Sequence, residues 1–167
     1  MTGLPADRVS VKIRIICVGK VKERYIRQGI EDYLGRLRHY TDVEYVEVKD
    51  EKILNPFSEE FIKKREAERI EKTFLPDGIV IVLDEEGQSF SSKMLAEFLQ
   101  RQQVQGTRVI QFVIGGTLGV ADSILKKAFK VLSLSKMTFT HQLSRLILLE
   151  QLYRAFTILK GEPYHKA

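Results

Sequence analysis

A chain of 167 residues, 44% hydrophobic and 29% charged, has the makeup of one globular domain with an ordinary core. Its 27 Lys and Arg against 22 Asp and Glu leave a formal charge of +5, which suits an anionic partner without requiring one. No apolar run reaches the length of a bilayer span and no segment reads as a signal peptide, so the expectation is a protein that does not enter a membrane.

Residues 1–10, "MTGLPADRVS", are polar, carry a proline and show no periodicity. They read as a disordered extension, set apart from a single domain over 11–167. The apolar register starts with "IRIICV" (13–18), a β-branched run that predicts a strand. It holds the one cysteine, Cys17, which cannot form an internal disulfide. No Cys/His cluster has metal spacing, and Cys17 reads as a small core residue of a reduced, cytosolic protein.

A helical pattern follows over 22–39. Residues 20–38 carry Lys20, Lys22, Arg24, Arg27, Arg36 and Arg38 against Glu23, Glu31 and Asp32, a candidate nucleic-acid surface. "VEYVEV" (43–48) is an alternating strand suited to a sheet edge. The mixed-sign stretch at 57–74 reads as a solvated helix. "IVIVLD" (79–84) and "VIQFVI" (109–114) are almost continuously apolar, as in strands of a parallel sheet covered on both faces. Helical patterns lie between and after them at 91–104, with Ser91 as N-cap, and at 121–131. The last helix, 141–160, is apolar around more than one stripe, so it is either central or shared with a second subunit. Gly161 and Pro163 then end it. Strands alternating with helices define an α/β domain with a parallel sheet flanked by helices.

Three stretches carry candidate chemistry. In "VIGGTLGVAD" (113–122) a strand runs into paired glycines, which allow close backbone approach to a ligand. The spacing matches no standard nucleotide-phosphate loop, and on the residues alone a tight strand-to-helix turn is the favoured reading. "LSLSKMTFTHQLSR" (132–145) reads as a buried loop whose backbone groups need a ligand, or as a strand plus turn. The tail "YHK" sets Tyr164, His165 and Lys166 in a row, three side chains that move or stabilise protons, at a chain end where fraying is usual. Arg145 is conspicuous on so apolar a helix and needs an anionic partner, for which Glu150 is the structural choice.

In order, "VIGG…G", "LSLSKMTF" and "LLEQLYRAFTILKGEPYHK" resemble the RlmH family, SPOUT-class methyltransferases that modify N3 of a pseudouridine in large-subunit (23S) ribosomal RNA. "VGKVKERY" and "LDEEGQSFSS" fit as well, and the resemblance spans about Val11 to Lys166. It implies a C-terminal trefoil knot, a homodimer, and S-adenosyl-L-methionine as methyl donor with no metal. By position it assigns Leu83, Gly115, Leu134, Ser135, Lys136, Met137, Thr138 and Phe139 to the cofactor. Tyr164, His165 and Lys166 go to substrate and catalysis, and Arg145 is added as a cation that stabilises the acceptor anion or holds phosphate. A SPOUT enzyme of another RNA, such as transfer RNA, and a non-catalytic ribosome-associated RNA-binding protein are the alternatives.

Overall fold

The structure, a computed structural model, describes residues 11–166; the expected extension at 1–10 lies outside the described residues, as does Ala167. Five strands form one parallel sheet: β1 (Lys12–Val18), β2 (Val43–Val48), β3 (Gly78–Ser89), β4 (Val109–Ile114) and β5 (Lys130–Ser133). Their spatial order is β2-β1-β4-β3-β5. β2 is an edge strand, as its alternating pattern predicts.

Period-2 alternation sends successive side chains to opposite faces. Ile13, Ile15, Cys17, Ile110, Phe112 and Ile114 pack toward α1 (Arg24–Leu37), α3 (Ser92–Val104) and α5 (His141–Lys160). Ile16, Val18, Val80, Val82 and Val113 pack toward α2 (Glu59–Glu71) and the one-turn α4 (Asp122–Leu125). Both faces are covered, which is why the central strands are apolar throughout. α5 lies between α1 and α3, and Lys160 is its one exposed residue. That burial accounts for its apolar breadth within a single chain.

Local signals set the boundaries. Ser91 caps α3 by accepting from the Met94 amide at 3.1 Å. Gly161, at φ +68°, closes α5 in the left-handed region, with Glu162 N–H donating to Thr157 O at 2.9 Å. One helix departs from expectation. The pattern at 121–131 yields only the short α4, and its end becomes β5, because an open edge of β3 pairs Ile81, Val82 and Leu83 with Lys130, Val131 and Leu132. Sheet pairing outweighs the helix propensity of "LKKA". Stretch 132–145 is correspondingly a strand plus turn, and the loop after Ser133 is not buried: Lys136, Met137 and Thr138 are exposed.

Candidate active site

The carboxyl ends of parallel strands open on a cavity of about 920 Å³, where doubly covered sheets bind ligands. One wall is the turn after β4. Gly119 N–H donates to Gly116 O at 3.0 Å and folds the chain back. A Cβ on Gly115 would lie 2.8 Å from Gly119 carbon, so only glycine fits there and its backbone faces the cavity. A second wall is the end of β3, which bulges between Leu83 and Gln88 and carries Asp84, Glu85 and Glu86 to the rim. The third is the loop leading into α5, tied to the second by Thr138 Oγ1 donating to Glu85 Oε2 at 2.9 Å.

Seven of the eight expected cofactor contacts line this cavity: Leu83, Gly115, Leu134, Ser135, Met137, Thr138 and Phe139. The eighth, Lys136, stands exposed on the same loop outside the lining. The lining carries four carboxylates, on Glu23, Asp84, Glu85 and Glu86, and no Lys or Arg. Sequence reasoning passed over the three acidic residues of β3, although they follow Leu83 directly at a strand's carboxyl end. His141, which reads from sequence as a cap or turn residue at the start of the last helix, completes the lining with Gln142 and Ser144 of the first α5 turn. Burial and the nearby Arg145 guanidinium depress the His141 pKa, favouring a neutral ring.

Arg145 does not pair with Glu150. It is wholly buried and points the other way around α5. Nη1 donates to Glu47 Oε2 at 2.8 Å and to Tyr45 Oη at 3.0 Å, and Nη2 donates to Val18 O at 2.6 Å. The reason is geometric: the first turn of α5 crosses the carboxyl ends of β1 and β2, where a strand carbonyl and an acidic edge residue are available. A guanidinium so committed has no face open to a substrate. Arg145 is a positioning residue that locks α5 against the sheet behind the cavity.

Glu150 instead belongs to the tail. Arg154 bonds Glu150 through Nε at 3.1 Å and through Nη2, and its guanidinium lies 4.8 Å over the Tyr164 ring. Tyr164 Oη donates to Glu150 Oε1 at 3.1 Å and lies 3.1 Å from Tyr33 Oη. Its ring meets Tyr153 edge-on at 4.7 Å. Burial and these bonds push the Tyr164 phenol pKa upward, so it stays protonated. Arg154 Nη1 lies 3.3 Å from His165 Nδ1. Arginine has no acceptor, so in this contact Nδ1 accepts and the ring hydrogen sits on Nε2. Tyr164, His165 and Lys166 line neither this cavity nor its neighbour. Glu150 stands six positions along α5 from Ser144, roughly 9 Å of helix rise. The structure thus brings together seven of the residues expected to contact the cofactor and keeps the tail apart from them.

A parallel sheet with an acidic, glycine-walled cavity at its carboxyl edge defines an α/β protein with its candidate ligand site at the strand ends. Comparison with known proteins narrows that class. The family model described as "Predicted SPOUT methyltransferase" matches residues 11–165. A ribosomal RNA large subunit methyltransferase H from Halothermothrix orenii is 50% identical over 159 residues, covering 93% of this chain and 100% of the relative. Its counterpart from Acetivibrio thermocellus is 48% identical with the same coverage. A solved probable methyltransferase from Bordetella pertussis Tohama I, 10% identical, superposes with a TM-score of 0.56 over 89% of this chain and 96% of that one, which shows the fold alone. The chain belongs to the ribosomal RNA large subunit methyltransferase H family of SPOUT methyltransferases.

Proposed function

We propose that this protein transfers a methyl group from S-adenosyl-L-methionine to N3 of a pseudouridine in 23S ribosomal RNA, acting on assembled ribosomes in the cytoplasm. The observation that carries the reading, beside family membership, is the convergence of seven expected cofactor contacts on one cavity that presents carboxylates and no cationic side chain. Such a lining suits a ligand bearing a sulfonium and an ammonium. Bound there, the cofactor would supply an electrophilic methyl group without a metal or a covalent enzyme intermediate. Gly115 and the loop residues Leu134 and Met137 would hold its flat base by backbone contact, and Leu83 and Phe139 would pack against it.

The acceptor nitrogen carries a proton, and as that proton leaves, negative charge spreads onto two flanking carbonyl oxygens. Stabilising that charge is the task left to the chain. His165, with Nε2–H available, suits donation to one such oxygen, and the Lys166 ammonium suits the other or an adjacent phosphate. The proton would pass to solvent water, or to His165 Nδ1 once that nitrogen releases Arg154. Tyr164 would stack on a base once the tail moves and its ring leaves Tyr153 and Arg154.

The tail does not enter its own chain's cavity, so we assign it to the cavity of a second copy. The active form is then a homodimer whose sites each combine one chain's cofactor loop, the expected trefoil knot, with the other's Tyr164, His165 and Lys166. The single domain over 11–167 is the unit of this assembly.

The test is His165→Ala, with cofactor affinity read by calorimetry and methyl transfer read on ribosomes, free ribosomal RNA and transfer RNA. The expected result is unchanged cofactor binding with transfer reduced by about 10²-fold or more. Unchanged turnover would remove His165 from the mechanism. Wild-type transfer to transfer RNA alone would shift the substrate, and a fully active monomer in gel filtration would end the shared-site reading.

A further inference from the structure

A second cavity of about 870 Å³ adjoins the first, and Gly116, Thr117, Leu118, His141 and Gln142 line both. We propose that it binds the backbone phosphates and one unstacked base of the RNA strand next to the methylated nucleotide. This rests on the RNA methyltransferase reading and adds a second RNA subsite to it.

The two cavities differ in their cations: the first has no lysine or arginine in its lining, the second has four lysines beside four acids. Lys20, Lys22, Lys49 and Lys52 line the second one. Among the described residues none of these four takes part in an ion pair. The acids of the same lining are largely spent. Glu47 is held by Arg145, and Glu51 by Arg69 at 2.5 Å. Glu66 is buried, accepts the Glu51 amide at 3.0 Å, and burial shifts its carboxyl toward the neutral form. Asp50 alone remains an open carboxylate against four free ammonium groups. Free lysines around a concave surface fit a polyanion, and phosphate contacts carry affinity without reading sequence.

A stacking surface lies close along the chain, on residues outside the lining. Phe57 and Phe61 are 45% and 41% exposed, with rings stacked at 5.0 Å between centroids. Phe57 follows by four residues Ile53, which is 61% exposed and lines the cavity, and Phe61 directly precedes the lining residue Ile62. An exposed aromatic pair beside free lysines is the combination that holds single-stranded nucleic acid, the ring taking a splayed base and the ammonium groups the backbone. A protein partner would be served by the apolar patch but would leave the four lysines without counter-charge. Because the cavities share a wall, a strand whose reacting nucleotide sits at the first mouth delivers its neighbour into the second.

The test uses the full chain with Lys49→Ala/Lys52→Ala and, separately, Phe57→Ala, all exposed positions. Binding is read on a single-stranded oligonucleotide spanning the target and on large ribosomal subunits. We expect the double variant to weaken oligonucleotide binding about ten-fold and to lower the log–log salt slope by about 1.4, roughly 0.7 per lost phosphate contact. Phe57→Ala should weaken binding about ten-fold with the slope retained, as for one lost stacking partner. Cofactor affinity stays at the wild-type value in both. Wild-type affinity and slope in the double variant would overturn the subsite. A loss confined to whole subunits, with the oligonucleotide still bound normally, would assign the face to a ribosomal protein and overturn it as well. Failure of the wild-type protein to bind or methylate RNA would sink the underlying reading together with this one.

Discussion

The two ends of α5 use the same three groups for opposite purposes. Near its start Arg145 binds the Glu47 carboxylate and the Tyr45 phenol; near its end Arg154 binds the Glu150 carboxylate and covers the Tyr164 ring. The first guanidinium is wholly buried and ties together residues about a hundred positions apart, at separations of 98, 100 and 127. The second is 24% exposed at its side chain and pairs within four residues, then reaches eleven to His165. Coulombic attraction strengthens as water is excluded, and so does the penalty for leaving a charge unpaired. Arg145 therefore fixes the scaffold between the two cavities, whereas Arg154 and Glu150 form a clasp whose opening costs little.

Breaking the first of these should have the larger effect on stability. Arg145→Met removes the side-chain donor to the Val18 carbonyl and leaves Glu47, still accepting from Tyr45 Oη and the Val21 amide, without its counter-charge, and the expected loss is about 3 kcal/mol, the low end for a buried pair because Glu47 is partly exposed. Denaturant unfolding measures it directly, and a loss below about 1 kcal/mol would contradict the locking role. Glu150→Gln addresses the other end. A partly exposed i,i+4 pair contributes on the order of 1 kcal/mol, so global stability should change little. Hydrogen exchange at 161–166 should accelerate, because Tyr164 loses its charged acceptor. Equal protection in the variant would show that aromatic packing on Tyr153 alone holds the tail.

The same contrast explains what could be read from the chain beforehand. Four of the five strands, the caps at Ser91 and Gly161 and the edge position of β2 follow from local pattern, since each depends on neighbours within a few residues. Glu150 was the natural partner for Arg145 because it is near in sequence. The real partner, Glu47, is reached only after β2 docks beside β1, and no local signal carries that. β5 was hidden for the same reason, its residues being poor in β-branched side chains and paired only because β3 offers an open edge. The basic segment at 20–38 also divides in three dimensions. Lys20 and Lys22 face the second cavity, while Arg36 lies over Tyr33 and Tyr153 near the tail. Lys49 and Lys52 join the first group from the far side, in a stretch whose mixed charges gave no sign of it. Tyr164, His165 and Lys166 could be named from the family motif, but the clasp that holds them could not.

The smallest effect expected concerns another phenol of the tail clasp. Tyr40 donates to the Glu162 carboxylate, and that bond, aided by partial burial and the adjacent negative charge, pushes its pKa up to about 12. The folded chain thus prefers the protonated phenol more strongly than the unfolded chain does. A group with a raised folded pKa contributes its full stability below its unfolded value, near 10 for tyrosine, and loses it as pH climbs through the folded value. Wild type should therefore melt slightly above Tyr40→Phe at pH 8 and 9, and the gap should close between about pH 10 and 12. Because the site is exposed, solvent screens the pair and the gap will be small. Tyr40 also stacks on Phe156 at 5.9 Å, a contact that phenylalanine keeps, so the comparison isolates the hydrogen bond from the ring. A gap that persisted above pH 12 would place the stabilisation in packing instead of in the bond to Glu162.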